Sequence, residues 1–352
     1  MIGRLFLLLS LFALLQTGAW SEGIKTTKVI GTEFPGEYKH PASFDQLDNG
    51  DLYLAYFGGG GEYEMDSKVW AMRLKKGEDE WSEPEVIADT PFRKEGNLVV
   101  WQAPDGLVWL FYVQSYGDTW SDSRIKAKIS KDGAQTWSDS FMVAEELGMM
   151  VRAHPVVLNN GDYLLPVYHE TGHDTEIVGK ETCSVFLRYN TETHNWDEVD
   201  RSYSRVGNLQ ASVVQLTDDH LIAYARRGGG YDPVDDGWLV KMESFDGGDT
   251  WTNGVETDFP NPNAATDLIK LKNGNVMLVY NDNMNDRTPL TVAVSTDGGE
   301  TWPHKKNIGE GDNSFAYPVL IQAEDGKIHV IYTTNQRTTI MHVVFDEKTI
   351  ME

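Results

Sequence analysis

The stretch Ser295–Trp302, "STDGGETW", decides the fold, because the chain spells the same pattern twice more. Ser-x-Asp-Gly-x-x-Thr-Trp also occurs at Ser130–Trp137 ("SKDGAQTW") and at Ser244–Trp251 ("SFDGGDTW"). In such a turn the Ser hydroxyl and the Asp carboxylate accept backbone N–H bonds, and Gly adopts the positive φ that other residues resist. The pattern therefore predicts a recurring structural turn that takes no part in chemistry.

Two further signals run in phase with this turn. "YNTETHNW", ending at Trp196, and "LKKGEDEW", ending at Trp81, extend the tryptophan series, whose members lie 51 to 59 residues apart. A tight turn followed by an apolar strand occurs six times, as "DNGDLYLAYF", "PDGLVWLFYV", "NNGDYLLPVY", "TDDHLIAYAR", "KNGNVMLVYN" and "EDGKIHVIYT". Asn-Gly and Asp-Gly between β-rich runs are strong hairpin signals, so each repeat is predicted to form a four-stranded antiparallel sheet.

Six such sheets in succession predict an all-β fold, a six-bladed β-propeller of four-stranded antiparallel blades. We expect each tryptophan to fill a gap between strands or neighbouring blades. The last repeat supplies only three strands after residue 315, so the early segment "TTKVIGTEF" (26–34) is expected to add the fourth strand. That strand would close the ring by joining the two ends of the chain.

The first residues are typical of a secretory signal. Arg4 precedes the apolar run "LFLLLSLFALL", and small residues follow it, with cleavage expected after Ala19 or Ser21. This divides the chain into a signal peptide (1–21) and a six-bladed propeller domain (22–352). The run is too short to span a bilayer, so we expect an exported protein, secreted or periplasmic, without membrane insertion. Its single cysteine, Cys183, allows no intrachain disulfide.

The charge balance restricts the partners. With 30 Lys and Arg against 54 Asp and Glu, the net charge is −24, which argues against nucleic acid or an anionic membrane. An anionic ligand would need a local cluster of arginines. No cofactor and no metal site are predicted, since His169 and His173 stand at a strand-to-loop junction rather than on a helix.

The three Ser-x-Asp-Gly-x-x-Thr-Trp copies resemble the Asp-box of the sialidase (neuraminidase) superfamily. The six blades agree with it, and the resemblance covers essentially the whole mature chain. Asp-boxes are specific for the fold and weak for the activity, because propellers with other functions carry them. The site must therefore be read residue by residue.

Propeller geometry brings certain positions to one face. First strands line the channel, and their starts lie beside the ends of the second strands. Counting back nine residues from the last residue of each hairpin turn gives equivalent positions in the six first strands: Pro41, Asn97, Arg152, Gln210, Ala265 and Tyr317. Two residues further on, the same side carries Ser43, Val99, His154, Ser212, Asp267 and Val319. A carboxylate in this register is costly unless paired, which favours function for Asp267. Arg152 and His154 share a face and are candidate ligands for a carboxylate such as Glu170.

The resemblance implies roles for particular residues. Sialidases hold the substrate carboxylate with three arginines, use a Tyr activated by a Glu as nucleophile, and place an Asp acid on a rim loop. "SFAYPVLIQAEDG" puts Tyr317 at the nucleophile, while "ARRGGG" and "NDRTPLTVAVS" put Arg226 and Arg287 at the second and third arginines. "FGGGGEYEMDSKVW" matches the acid loop, with Asp66 or Glu62 as the candidate acid.

Two departures mark a divergent branch. The segment "YKHPASF" offers His40 by hairpin counting, or Lys39 by matching the Pro, where the family has its first arginine. His40 is a cation only when protonated, and neither side chain has the planar fork that grips a carboxylate. "LQASVVQL" puts Gln210 where the family has Glu, and an amide cannot take a proton from Tyr317.

Three functions are compatible with these residues. The first is an exo-acting glycoside hydrolase that removes an acidic sugar, with an inverting variant in which Asp267 activates water. The second is a uronic-acid polysaccharide lyase using Tyr317, His154 and Arg226. The third is a non-catalytic carbohydrate-binding propeller. A glycan or acidic sugar is the expected partner in each, with aromatic residues stacking on it at the rim: Trp120, Tyr231 and Trp238.

Overall fold

The computed structural model describes residues 19–21, 23–34, 36–175 and 177–352, which form six antiparallel sheets with one short α-helix. Residues 1–18, most of the expected signal peptide, lie outside the described residues. Within the part that is described, no helix has the length and hydrophobicity needed to cross a membrane. The predicted all-β propeller of six blades is confirmed.

The described residues form 26 strands. In chain order they are β1 Ala19–Ser21, β2 Ile24–Ile30, β3 Tyr38–Gln46, β4 Leu52–Gly59, β5 Lys68–Leu74, β6 Glu85–Ala88, β7 Lys94–Gln102, β8 Val108–Ser115, β9 Ser123–Ser130, β10 Phe141–Ala144, β11 Met149–Val151, β12 Val156–Val157, β13 Tyr163–His169, β14 Cys183–Asn190, β15 Asn195–Ser202, β16 Asn208–Gln215, β17 Leu221–Arg227, β18 Trp238–Ser244, β19 Val255–Pro260, β20 Asp267–Lys270, β21 Val276–Asn281, β22 Leu290–Ser295, β23 His304–Gly309, β24 Ala316–Gln322, β25 Ile328–Thr334 and β26 Thr339–Phe345. A 3-10 helix at Trp120–Asp122 and the helix α1, Glu347–Met351, complete the elements.

Most blades are continuous in sequence. Blades 1, 2, 4 and 5 are β3–β6, β7–β10, β16–β19 and β20–β23, and blade 3 is β13–β15 with its inner strand divided into β11 and β12. Blade 6 consists of β24, β25 and β26, and its outer strand is β2, with β1 beyond it. Ile24 pairs with Phe345 and Ile30 with Ile340, so the expected ring closure is confirmed.

The core lies between the blades. Second strands such as β8 (Val108–Ser115) and β21 (Val276–Asn281) are buried along their whole length, because a neighbouring blade covers each face. Outer strands such as β10 (Phe141–Ala144) are exposed or half-buried. Continuous apolar runs in the second strands therefore reflect burial on both faces.

The repeated turns lie between third and fourth strands, at the outer edge. In the third copy, Thr301 N donates to Asp297 Oδ1 at 2.9 Å and Gly299 N donates to Ser295 Oγ at 2.8 Å. Hydrogen bonds from Thr301 and Ser295 hold the pKa of Asp297 at about 2. The carboxylate is fully used in closing the turn, as expected of a structural element.

Each tryptophan of the series packs on the preceding blade. Trp251 of blade 4 stacks on Phe186 of blade 3, with ring centroids 3.9 Å apart. The other four pairs are Trp81 with His342, Trp137 with Tyr53, Trp196 with Phe111 and Trp302 with Tyr224. The expectation that these rings fill gaps between blades is confirmed. Blade 6 has no such tryptophan, and Ile350 of α1 packs in one cluster with Leu271 and Met277 of blade 5.

Candidate active site

The first strands of blades 4 and 6 each contain a β-bulge near the start of the strand, and the bulge directs a side chain toward the axis. The strand pairing shifts between Leu209 and Ser212 in blade 4 and between Ala316 and Val319 in blade 6. Gln210 and Tyr317, the residues within these bulges, have φ of 59° and 53°. A bulge re-aims a side chain, and left-handed backbone at a non-glycine residue is strained, so both are features expected of a site.

The phenol of Tyr317 is held by two N–H donors. Gln210 Nε2 and Arg226 Nη1 each donate to its oxygen at 3.0 Å. Gln210 Nε2 also lies 3.3 Å from the Tyr168 oxygen, which accepts a second bond from Asn97 Nδ2 at 2.9 Å. Two phenols thus share one amide, and no carboxylate contacts the oxygen of Tyr317 among the described residues. Gln210 here positions Tyr317 and does not deprotonate it.

Arg226 is the centre of this network. Its side chain is buried, with only 2% of its surface exposed. Nε donates to Asn263 Oδ1, Nη1 also to Gln210 Oε1 at 3.1 Å, and Nη2 to the Tyr231 hydroxyl at 2.7 Å. All of these hydrogen-bond partners are neutral amides or phenols, and no described carboxylate lies within ion-pair distance of Arg226, although the charge of Glu170 acts on it from further away.

Arg287 approaches the same phenols from the loop before β22. Its guanidinium lies over the rings of Tyr231 and Tyr317, 5.6 and 5.8 Å from their centroids. Nη2 donates to the backbone oxygen of Asn263 at 3.1 Å. The structure therefore brings together Arg226, Arg287 and Tyr317, the three residues on which the predicted site depends.

Arg337 is a further cation at this place, and the sequence analysis missed it. It lies in the hairpin between β25 and β26, forms an ion pair with Glu62, and donates to the Tyr38 hydroxyl at 3.3 Å. The signal was available, because Arg337 stands four residues after the apolar run "EDGKIHVIYT" (324–333), and the ends of second strands lie beside the starts of the first strands.

Three arginines of the site act together on the pKa of Tyr231. Burial alone would raise this pKa, but the positive charges of Arg226, Arg287 and Arg337 outweigh burial and lower it below the ordinary value. Tyr231 is 44% exposed as a whole residue, while its hydroxyl accepts a hydrogen bond from Arg226. A positive potential of this kind suits an anionic ligand.

Arg152 lies on the ring of Tyr317, 5.3 Å from the ring centroid, and is 2% exposed. Nη2 donates to Pro318 O at 2.8 Å, and no described carboxylate lies within ion-pair distance. Burial lowers the pKa of the guanidinium. Arg152 thus adds positive charge behind Tyr317 and makes no ion pair with Glu170.

His154 and Asp267 do not line the cavity to which Tyr317 and Arg226 belong. Together with Ser212 they line a different cavity. Nε2 of His154 is 3.5 Å from Ser43 Oγ. The Asp267 carboxylate accepts bonds from Ser212 Oγ and from Leu320 N, both at 2.7 Å. It thereby joins blades 4, 5 and 6, and both of its oxygens are occupied. The structure does not bring these two residues to the hydroxyl of Tyr317.

His40 contacts Tyr317 edge-on, with ring centroids 4.3 Å apart, and its Nδ1 bonds to the Thr333 hydroxyl. Burial, reinforced by the surrounding arginines, lowers the pKa of His40 well below its ordinary value, so the imidazole is neutral. Lys39 directs Nζ to the backbone oxygens of Phe34 and Gly36. Neither residue offers a positive charge to a ligand in the cavity, whereas Arg337 lines it as a cation paired with Glu62.

The acid loop contributes one carboxylate to the cavity. Glu62 is part of the lining and is ion-paired with Arg337. Asp66 is exposed, does not line the cavity, and accepts a hydrogen bond from Gly60 N at 3.0 Å. Glu170, at the end of β13, also lines the cavity. Its burial raises the pKa to about 7, with Arg226 opposing the shift and Glu62 adding to it.

The cavity encloses about 560 Å³ of empty space, measured out to its open mouth. Its lining residues come from several blades: Glu62, Tyr63, Asn97, Trp120, Met150, Tyr168, Glu170, Thr175, Ile177, Val178, Leu209, Gln210, Arg226, Tyr231, Tyr317 and Arg337. Of the expected rim aromatics, Trp120 and Tyr231 are present, whereas Trp238 bonds to Asp236 outside the lining. No cluster of three His, Cys, Asp or Glu suited to a metal occurs among the described residues.

The blades and this cavity define a sialidase-like six-bladed propeller. A family model described as "BNR repeat-like domain" matches residues 50–330, and the chain belongs to that family. None of the curated proteins matches the sequence.

Similar solved structures agree with this assignment. The Hadza microbial sialidase Hz136 is 15% identical with a TM-score of 0.76, over 92% of this chain and 69% of that one. The NanB sialidase from Streptococcus pneumoniae is 10% identical with a TM-score of 0.75, over 92% and 70%. The α-L-arabinanase of Penicillium chrysogenum is 16% identical with a TM-score of 0.65, over 92% and 98%. At these identities the likeness establishes a glycoside-hydrolase-like fold.

Proposed function

We propose that the protein is an exo-acting glycoside hydrolase that removes an acidic sugar, a sialic acid or another ulosonic or uronic acid. The observation that carries this proposal is the convergence of Arg226, Arg287 and Arg337 on the phenols of one cavity. Arg226 and Arg287 have no ion-pair partner among the described carboxylates, although the chain has 54 acidic residues against 30 basic ones. Because a buried cation is costly unless paired, a ligand carboxylate is the natural partner.

Within this cavity, Tyr317 is the candidate catalytic residue. Its oxygen receives two N–H donors, which stabilise negative charge there while positive charge develops on the anomeric carbon. It would either attack that carbon or stabilise an oxocarbenium-like state, and tyrosine nucleophiles are an accepted exception to the two-carboxylate rule. Gln210 and Arg226 hold the oxygen in place for either role.

A lyase acting on uronic acids is the second candidate, because the oxygen of Tyr317 has donors and no carboxylate base beside it. In this reaction an arginine neutralises the substrate carboxylate, a base removes the α-proton, and the leaving group departs as a carbon–carbon double bond forms. Tyr317 and Arg226 lie in the cavity as this route requires, whereas His154 lies elsewhere.

The test is to incubate the purified protein with a panel of oligosaccharides that carry sialic, other ulosonic or uronic acids. Release of a free acidic monosaccharide supports hydrolysis, and a rise in ultraviolet absorbance from an unsaturated sugar supports elimination. Tyr317→Phe should abolish turnover and retain binding in either case. Binding without turnover by the wild type, unchanged in Tyr317→Phe, would identify a non-catalytic carbohydrate-binding propeller.

We further propose that the protein acts outside the cytoplasm, on the basis of the expected signal peptide alone. Expression of the full chain, followed by fractionation and sequencing of the mature amino terminus, tests this. Recovery of the protein in the cytoplasm with residues 1–21 intact would overturn it.

A further inference from the structure

The cavity holds two carboxyl groups whose situations differ. Glu62 is engaged in an ion pair with Arg337, an arrangement that requires the carboxylate. Glu170 lines the same cavity, and its carboxyl makes no hydrogen bond or ion pair with any described residue. Glu62 is thus paired with a cation, whereas the carboxyl of Glu170 has no such partner among the described residues and belongs to the lining of the cavity.

The backbone holds Glu170 firmly. Its N–H donates to Gly148 O at 2.8 Å, and the next N–H, of Thr171, donates to Thr182 Oγ1 at 3.0 Å. Gly148 has φ of 89°, and a Cβ there would lie 2.5 Å from Glu170 O, so only glycine permits this approach. A proton donor needs such fixed placement, because proton transfer depends on hydrogen-bond geometry.

The surroundings of Glu170 favour the protonated carboxyl near neutral pH. Burial is the largest cause of its raised pKa of about 7, and the negative charge of Glu62 adds to the shift, while Arg226 opposes it. The titratable or charged groups that line the cavity with it are Glu62, Tyr63, Tyr168, Arg226, Tyr231, Tyr317 and Arg337. The two carboxyl groups thus have different surroundings, and a pair of this kind commonly divides acid and anion roles between its members.

We propose that Glu170 is the catalytic acid that protonates the leaving-group oxygen, in place of a residue of the acid loop. This inference rests on the proposed hydrolysis. As the bond between the anomeric carbon and the glycosidic oxygen breaks, its electron pair stays with the oxygen, which takes the proton of Glu170 and leaves as an alcohol. Water then adds its oxygen to the electron-poor carbon and returns a proton to the Glu170 carboxylate.

The assignment explains the position of Asp66. This residue is exposed, contacts the backbone of Gly60 in its own loop, and does not line the cavity. Glu62 does line it, but its ion pair with Arg337 would have to break before it could carry a proton. Glu170 needs no such rearrangement.

The experiment compares two glycosides of whichever acidic sugar the panel identifies, one with an alkyl and one with a 4-nitrophenyl leaving group. The alkoxide needs a proton to leave and the nitrophenolate does not. In Glu170→Gln we expect kcat/KM for the alkyl glycoside to fall about 10²- to 10⁴-fold, and that for the aryl glycoside to fall less than about tenfold. The decline of wild-type kcat as pH rises through about 7 should disappear in the variant. Glu181→Gln, on an exposed residue that lines no part of the cavity, is the matched control.

The outcomes separate the two proposals. Equal losses on both glycosides, or the leaving-group difference appearing in Asp66→Asn or Glu62→Gln instead, would overturn the role of Glu170 and leave hydrolysis standing. A wild type that cleaves neither glycoside would overturn hydrolysis and the acid together. Unfolding of Glu170→Gln as a function of pH checks that the variant folds and reports the protonation of Glu170 without substrate.

Discussion

The outer edge of the propeller and its axis use polar side chains in opposite ways. At the edge, both carboxylate oxygens of Asp297 accept hydrogen bonds from Thr301 or Ser295, which belong to the same turn. At the axis, Arg226 and Arg152 are buried and form no ion pair with any described carboxylate. The edge is built alike in three blades, whereas each blade brings a different residue to the axis. Interactions that repeat stabilise the ring, and those that differ form the site.

The axis should show the largest loss of activity. Arg226→Ala removes the donors to Tyr317, Tyr231, Gln210 and Asn263 and the cation expected to bind the substrate carboxylate. We expect kcat/KM on the acidic glycoside to fall on the order of 10³-fold. Arg227→Ala is the matched control, since the hydrogen bonds of the Arg227 side chain to described residues go to the backbone oxygens of Asn261 and Gly228. Equal effects of the two substitutions would mean that the axis is structural.

The edge should show the largest loss of stability. Trp251→Ala removes a ring stacked on Phe186 at 3.9 Å and leaves a cavity between blades 3 and 4. We expect the free energy of unfolding to fall by about 3–5 kcal/mol, with kcat unchanged for the folded protein. Denaturant unfolding and activity per folded molecule measure this, and Trp251→Phe should lose less. A lowered kcat in folded Trp251→Ala would contradict the separation of edge and axis.

Glu170 should make the axis sensitive to pH. A carboxyl whose folded pKa is about 7, above the unfolded value near 4.5, binds more protons in the folded state between these values. Its contribution to stability is therefore full below pH 4.5 and is lost as pH rises through 7. Allowing for partial solvent exposure, Glu170→Gln should be more stable than wild type by up to about 2 kcal/mol at pH 8.5 and similar to it at pH 4. Identical differences at both pH values would contradict this.

The smallest effect should come from a single turn at the edge. Ser244→Ala removes the acceptor of Gly248 N and the donor to Asp246 Oδ1, both at 2.9 Å. We expect the free energy of unfolding to fall by about 1 kcal/mol, with no change in activity. Ser295→Ala, in the next blade, should cost a similar amount, and the double variant should be additive. A loss confined to one of the two would show that the turns are not equivalent.

The repeated parts of the fold could be predicted from the sequence because their signals are local. A hairpin dipeptide, a following apolar strand and a Trp at a regular interval report on contacts within one repeat or between adjacent ones. Even the closing strand was predictable, because the last repeat lacked a partner. Tyr317 and Gln210 were located by the same counting, since a bulge adds its extra residue at the same place in both strands.

The remaining parts of the site depend on contacts that no local pattern encodes. Arg337 meets Glu62 and Tyr38 across the ring closure, so its role exists only once blades 6 and 1 are adjacent. The neutrality of His40 follows from burial and from four arginines that belong to other blades. The raised pKa of Glu170 is set by its neighbours and not by the identity of the residue.

The closing strand has a consequence for how the molecule assembles. Thr27 of β2 donates a hydrogen bond to the backbone oxygen of His342 in β26, 315 residues away. This early strand can therefore pair only after one of the last strands of the chain has been synthesised. Such contacts of high sequence separation slow folding, because a long loop must be ordered before they form. A circular permutant that joins the two ends and opens the chain between two other blades should reach its final state sooner. It would do so without altering a single side chain at the axis.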